Sequence, residues 1–69
     1  MKELDARGLS CPEPVVMIRK AMASQESAYE MVVDNVTAKE NVTRYAQHQG
    51  YQVRVEERDG EYTLTMTKG

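Results

Sequence analysis

The tightest constraint on the fold lies toward the C-terminus, where two alternating runs flank the dipeptide Asp59-Gly60. From Tyr51 to Glu57, residues Tyr51, Val53 and Val55 fall on one face and Gln52, Arg54 and Glu56 on the other. In the second run Tyr62, Leu64 and Met66 face one way, and Thr63, Thr65 and Thr67 the other. A period of two around Asp-Gly is the pattern of an antiparallel hairpin closed by a two-residue turn. Alternation in both strands keeps one sheet face in water, so any helices must cover the other.

Upstream, the periodicity switches twice. Lys2 to Ala6 reads as a short strand bounded by Arg7-Gly8. From Pro12 to about Gln25 the apolar positions Val15, Ile18 and Met22, flanked by Ala21, recur at helical spacing. Ser24 to Ala28 breaks that pattern, and Tyr29 to Asp34 forms a second strand ending in the turn formers Asp34-Asn35. A second helix is expected from Thr37, where Thr37 and Glu40 have capping-box spacing, with Ala38, Val42, Tyr45 and Ala46 buried and Gly50 as its stop. The order β-α-β-α-β-β predicts an α+β, two-layer α/β sandwich. Its first β-α-β unit is expected to be a right-handed parallel crossover. No linker or repeat interrupts it, so residues 1–69 are expected to be one domain. An ending directly after a strand leaves open a longer parent chain.

Sixty-nine residues bury only about 60% of the surface of the unfolded chain, and one cysteine cannot staple the fold internally. Without Trp or Phe there is no large aromatic platform for a bulky cofactor, and none is expected. Spaced Cys/His ligands for a metal are also missing. A net charge of −2 disfavours nucleic acid as a partner. No apolar run is long enough to span a membrane and no signal peptide opens the chain, which makes the cytoplasm the expected compartment. The five methionines read mostly as gap fillers.

One constellation carries chemistry: Gly8-Leu9-Ser10-Cys11-Pro12-Glu13-Pro14, at the handover from first strand to first helix. Pro12 pushes Cys11 out of the α region and is pre-set for the first helical position. The helix dipole there favours thiolate over thiol. Pro12 and Pro14 remove two of the four free N–H donors of the first turn, leaving those of Glu13 and Val15. Pro14 also predicts a distorted or 3₁₀-like start. Such a mount presents the sulfur to a visiting partner rather than enclosing it. A lone free cysteine is equally compatible with a buried, inert small hydrophobe, although Cys11 lies on neither apolar stripe.

Lacking a second cysteine, the chain cannot be a self-contained dithiol oxidoreductase. The single histidine, His48, is expected roughly 15–20 Å from Cys11, at the far end of the second helix, too far for a Cys–His dyad. Groups expected at the Cys11 edge are Arg7, Asp34, Asn35 and the stretch from Thr37 to Lys39. Arg7 and Lys39 would favour thiolate and Asp34 would oppose it. As solvated charges and caps they need no function. Val16 rotates away from the core stripe, either as the edge of a wide apolar face or as part of a docking patch.

The run from Leu4 to Val15, Leu-Asp-Ala-Arg-Gly-Leu-Ser-Cys-Pro-Glu-Pro-Val, followed by Arg19-Lys20, resembles the TusA-like (SirA/YedF) sulfur-carrier family. That family's signature is Cys-Pro-x-Pro after Leu-Asp-x-x-Gly. Asp34-Asn35, the run from Ala38 to Val42, Gly50-Tyr51 and Tyr62-Thr63-Leu64 are most similar to the amino-terminal domain of the YedF branch, associated with selenium metabolism. TusA itself typically carries Asp-Asp-Pro and Arg-Asp-Ile-Pro where this chain has Asp34-Asn35-Val36 and Lys39-Glu40-Asn41-Val42.

The resemblance implies a mixed four-stranded sheet of order 1-2-4-3 with both helices on one side. It implies a persulfide on Cys11, received from a cysteine desulfurase-like donor and relayed to an acceptor protein, in sulfurtransferase-like chemistry that extends to selenium. Cys11 inherits the chemical role. Gly8, Pro12, Glu13 and Pro14 form its scaffold. YedF-like chains often continue into a second domain after a position like Gly69. The alternative is a non-catalytic regulatory or protein-binding module that uses the Cys-Pro-x-Pro loop as a docking surface. RNA binding is a third option, opposed by the acidic charge balance.

Overall fold

The computed structural model describes residues 2–69. Its elements are β1 (Lys2–Asp5), α1 (Glu13–Met22), β2 (Ala28–Val33), α2 (Val36–His48), β3 (Tyr51–Arg58) and β4 (Glu61–Lys68). The four strands make one sheet in the order β1-β2-β4-β3. β1 pairs parallel to β2, and β4 pairs antiparallel to both β2 and β3. This is the α+β architecture and strand order that the sequence led us to expect. Asp59 and Gly60 both take positive φ, 52° and 80°, and close the β3–β4 hairpin with Arg58 opposite Glu61.

Register explains the core. Leu4 lies beside Met31, Met31 beside Leu64 and Leu64 beside Val55, so one inner row crosses the whole sheet. Tyr29, Met31 and Val33 of β2 and Leu64 and Met66 of β4 are fully buried beneath Ile18 and Ala21 of α1 and Ala38, Val42 and Ala46 of α2. The outermost member of the row differs from expectation, since Val55 is 40% exposed. β3 is an edge strand, and the α2 side chains bordering Val55 are Lys39, Glu40, Thr43, Arg44 and Gln47, too polar to close over it.

Both helices begin and end for reasons the sequence shows only in part. α1 stops at Met22, short of Gln25. The Ala21 carbonyl is taken by the Ser24 hydroxyl at 2.7 Å and the Tyr29 hydroxyl at 3.0 Å, and three-residue backbone bonds tighten the exit. α2 starts at Val36, not Thr37, because Asn35 is its N-cap: Asn35 Oδ1 accepts the Ala38 N–H at 2.7 Å. With the cap two residues earlier, the Thr37–Glu40 capping box does not form. Gly50, at φ 88°, follows the last turn as expected.

Candidate functional site

The loop between β1 and α1 is fastened at both ends. The buried Ala6 extends the parallel pairing by one bond, its N–H donating to Val32 O at 2.8 Å. Gly8, at φ 80°, then turns the chain, and its N–H donates to Asp34 Oδ2 at 2.8 Å. An L side chain rarely adopts that backbone conformation, which accounts for glycine here. Ser10 O accepts the Glu13 N–H at 2.8 Å across the cis Cys11–Pro12 bond, forming a tight turn with Pro12 at its third position.

The helix start differs in three respects from the expected one. Pro12 is the N-cap rather than the first helical residue, and Pro14 occupies an early helical position. Val16 donates to Pro12 O at 3.0 Å, a four-residue α-helical bond, so the first turn is α and not 3₁₀. Because the Ser10 turn consumes the Glu13 N–H, the first turn offers fewer free donors to an anion than its sequence suggests. Pro14 does more than stiffen the loop. Its side chain is fully buried and anchors the start of α1 in the core.

Cys11 is free and exposed, not packed away as a small hydrophobe. Its one hydrogen-bond contact among the described residues is Asn41 of α2, whose Nδ2 lies 3.9 Å from Sγ. Asn41 was not singled out from the sequence. The signal was present: Asn41, Tyr45 and His48 recur at helical spacing beside the Ala38–Val42–Ala46 core stripe, as a flank turned toward α1. With Val15 and Arg44 they line a shallow apolar groove of about 300 Å³ between the helices. Cys11 therefore sits alongside the middle of α2 rather than at its start. His48 is exposed, as expected, but lies two turns beyond Asn41, about 10 Å along the axis and nearer than a full helix length.

The remaining expected neighbours are each engaged by a partner of their own. Asp34 clamps Gly8 and accepts from Asn35 Nδ2 at 3.2 Å; the Gly8 amide, first, and then the Asn35 amide hold its carboxyl below the usual carboxylate range. Asn35 is committed to capping α2. The Lys39 ammonium lies 5.1 Å from the Tyr62 ring centroid, a cation–π contact. Arg7 turns toward the sheet end, where its guanidinium bonds Asp5 at 2.8 Å and Glu61 at 3.4 Å. That pairing lowers the Asp5 carboxyl to about 2 and raises Arg7 further. Glu61 is a second residue the sequence did not disclose. Val16 is half-buried and, among the described residues, outside the apolar set that packs on the core.

Among the described residues no group of three or more His, Cys, Asp or Glu is arranged to hold a metal, and no helix is long and apolar enough to cross a membrane. A family model described as "Sulfurtransferase TusA" matches residues 2–68. A candidate sulfur carrier protein of Methanocaldococcus jannaschii is 35% identical over 71 residues, covering 99% of this chain and 95% of that protein. The crystal structure of a SirA-like protein from Desulfitobacterium hafniense superposes with a TM-score of 0.90 at 34% identity, covering 100% of this chain and 99% of the other.

Proposed function

The chain belongs to the TusA sulfurtransferase family, and from that premise we propose that it is a sulfur carrier that relays sulfur on Cys11 between a donor and an acceptor protein. In this reading Cys11 Sγ, as thiolate, attacks the terminal sulfur of a persulfide on a cysteine desulfurase-like donor. A new Sγ–S bond forms as the donor's S–S bond breaks. The donor leaves as a thiolate, carrying the electron pair and later taking up a proton. An acceptor thiolate then takes the outer sulfur by the same displacement and returns Cys11 to its thiolate. Neither step changes the overall oxidation state, so no cofactor takes part.

The observation that carries this reading is an exposed, solitary Sγ on a loop fastened on both sides. Gly8, Pro12, Glu13 and Pro14 act as the scaffold. Asp34 and Asn35 hold the loop and α2 beside it, while Arg7, Lys39 and Val16 supply charge and surface to a docked partner. The run from Ala38 to Val42 supports a place in the YedF-like branch, and with it transfer that extends to selenium. Residues 1–69 act as one domain, in the cytoplasm.

Incubation with a cysteine desulfurase and labelled cysteine, followed by intact mass, should add one sulfur atom to the wild type and none to Cys11→Ser. No adduct on the wild type would count against the relay. A docking module without chemistry, which the position of Val16 favours, predicts instead that Cys11→Ala keeps full biological activity.

A further inference from the structure

We propose that Asn41 is a positioning residue for the reactive sulfur, holding Cys11 and stabilising negative charge on it through its side-chain amide; the inference rests on the sulfur-carrier reading. Four other polar side chains expected at this edge are committed elsewhere. Asp34 holds Gly8, Asn35 caps α2, Arg7 is paired with Asp5 and Glu61, and Lys39 lies over Tyr62. The first turn of α1 has given up most of its donors to prolines and to the Ser10 turn. Asn41 alone presents an N–H to Sγ, and its side chain makes no other hydrogen bond among the described residues.

Its placement is fixed by the fold. Asn41 directly precedes the fully buried Val42, on a helix capped by Asn35, so its Cα cannot drift from the loop. The amide can accept from a thiol S–H or donate to a thiolate. After sulfur transfer the outer sulfur lies about 2 Å beyond Sγ, still within reach of a rotated amide. Asn41 thus accompanies both charged states of the relay, the thiolate and the persulfide anion, without being consumed in either. The nearby groove carries Arg44 and His48 further along the same flank and no carboxylate among its lining residues.

The test requires no partner protein, because the chain has a single cysteine and alkylation reports on it alone. The rate of iodoacetamide alkylation is measured across pH for wild type, Asn41→Ala and the isosteric Asn41→Asp, with circular dichroism to check folding. Loss of the donor should slow alkylation near neutral pH by about threefold to tenfold in Asn41→Ala and more in Asn41→Asp, with less slowing at high pH. After loading with inorganic polysulfide, the persulfide should also decay faster in both variants. Unchanged rates overturn the proposal. Equal slowing at every pH assigns Asn41 to shape alone and also overturns it. Absence of desulfurase-dependent sulfur on the wild type would remove the relay while leaving the alkylation result readable.

Discussion

The Asp34 carboxylate accepts the Gly8 N–H at 2.8 Å, joining two residues 26 positions apart in the chain. This bond fixes the Cys11 loop to the end of β2 at the point where Asn35 starts α2. Three features of the site therefore share one anchor: the turn at Gly8, the N-cap of α2, and through α2 the position of Asn41. A change at Asp34 should reach the sulfur without touching it.

Acid should loosen this anchor. Asp34 and Asp5 both have folded pKa values below their ordinary one, so each contributes stability that is present above the unfolded value and lost as pH falls through the folded one. For Asp5 that window runs from 3.8 down to about 2. Both groups are exposed, so added salt should weaken the Asp5–Arg7 pair. An NMR titration should show the Gly8 amide shift following the Asp34 carboxyl, and Asp34→Ala should speed hydrogen exchange at Gly8. A Gly8 amide indifferent to Asp34 ionisation would mean the bond does not persist in solution.

Substituting Gly8 by Ala isolates the backbone requirement. A Cβ at Gly8 would meet nothing within 4 Å, so no clash opposes the change, but φ is +80°. The cost is then conformational, about 1–2 kcal/mol in urea or thermal unfolding. If the loop must hold this shape to present the sulfur, desulfurase-dependent loading should fall as well. Full stability in Gly8→Ala would show that the loop relaxes to another conformation.

The hairpin, both helical stripes and the Cys11 loop were legible because each rests on local chemistry: period two around Asp59-Gly60, helical spacing at Ala38, Val42 and Ala46, and prolines bracketing one sulfur. What was hidden depends on tertiary placement. Asn35 outcompeted Thr37 as a cap because it sits where the chain leaves β2. Pro14 is core rather than merely stiff because it falls on the buried face of α1 with Ile18 and Ala21. The face that carries Asn41 was readable from its spacing, but its place beside Cys11 was not, since periodicity gives a helix's face and not its height beside a neighbour. Arg7 was expected at the Cys11 edge, and pairing of its guanidinium with Asp5 and Glu61 could not be read from the chain because Glu61 arrives from the far hairpin.

Thr43 offers a test of polar burial on the far side of α2. Its hydroxyl oxygen is buried and has no hydrogen-bond partner among the described residues. Thr43→Val keeps the β-branched shape and removes the unsatisfied group, so it should stabilise the fold by about 1 kcal/mol. A rise in the urea midpoint without a change in slope would bear this out. A loss of stability would show that the hydroxyl finds a partner, for instance a carbonyl one turn back.

Tyr29 separates what holds the fold from what serves the sulfur. Its hydroxyl donates to Ala21 O at 3.0 Å and accepts the Glu26 N–H at 2.9 Å, and its ring meets Tyr51 edge-on at 5.7 Å between centroids. Tyr29→Phe keeps the ring contact and strands a backbone donor at the α1–β2 turn, which should cost about 1–2 kcal/mol. Tyr51→Phe should cost less, because its hydroxyl makes one bond among the described residues, to the Glu26 carbonyl at 3.1 Å, where that of Tyr29 both donates and accepts. This clamp lies at the opposite end of α1 from Cys11, so sulfur loading of the folded Tyr29→Phe protein should match wild type. Loss of loading with stability intact would mean that the C-terminal end of α1 belongs to the surface a partner reads.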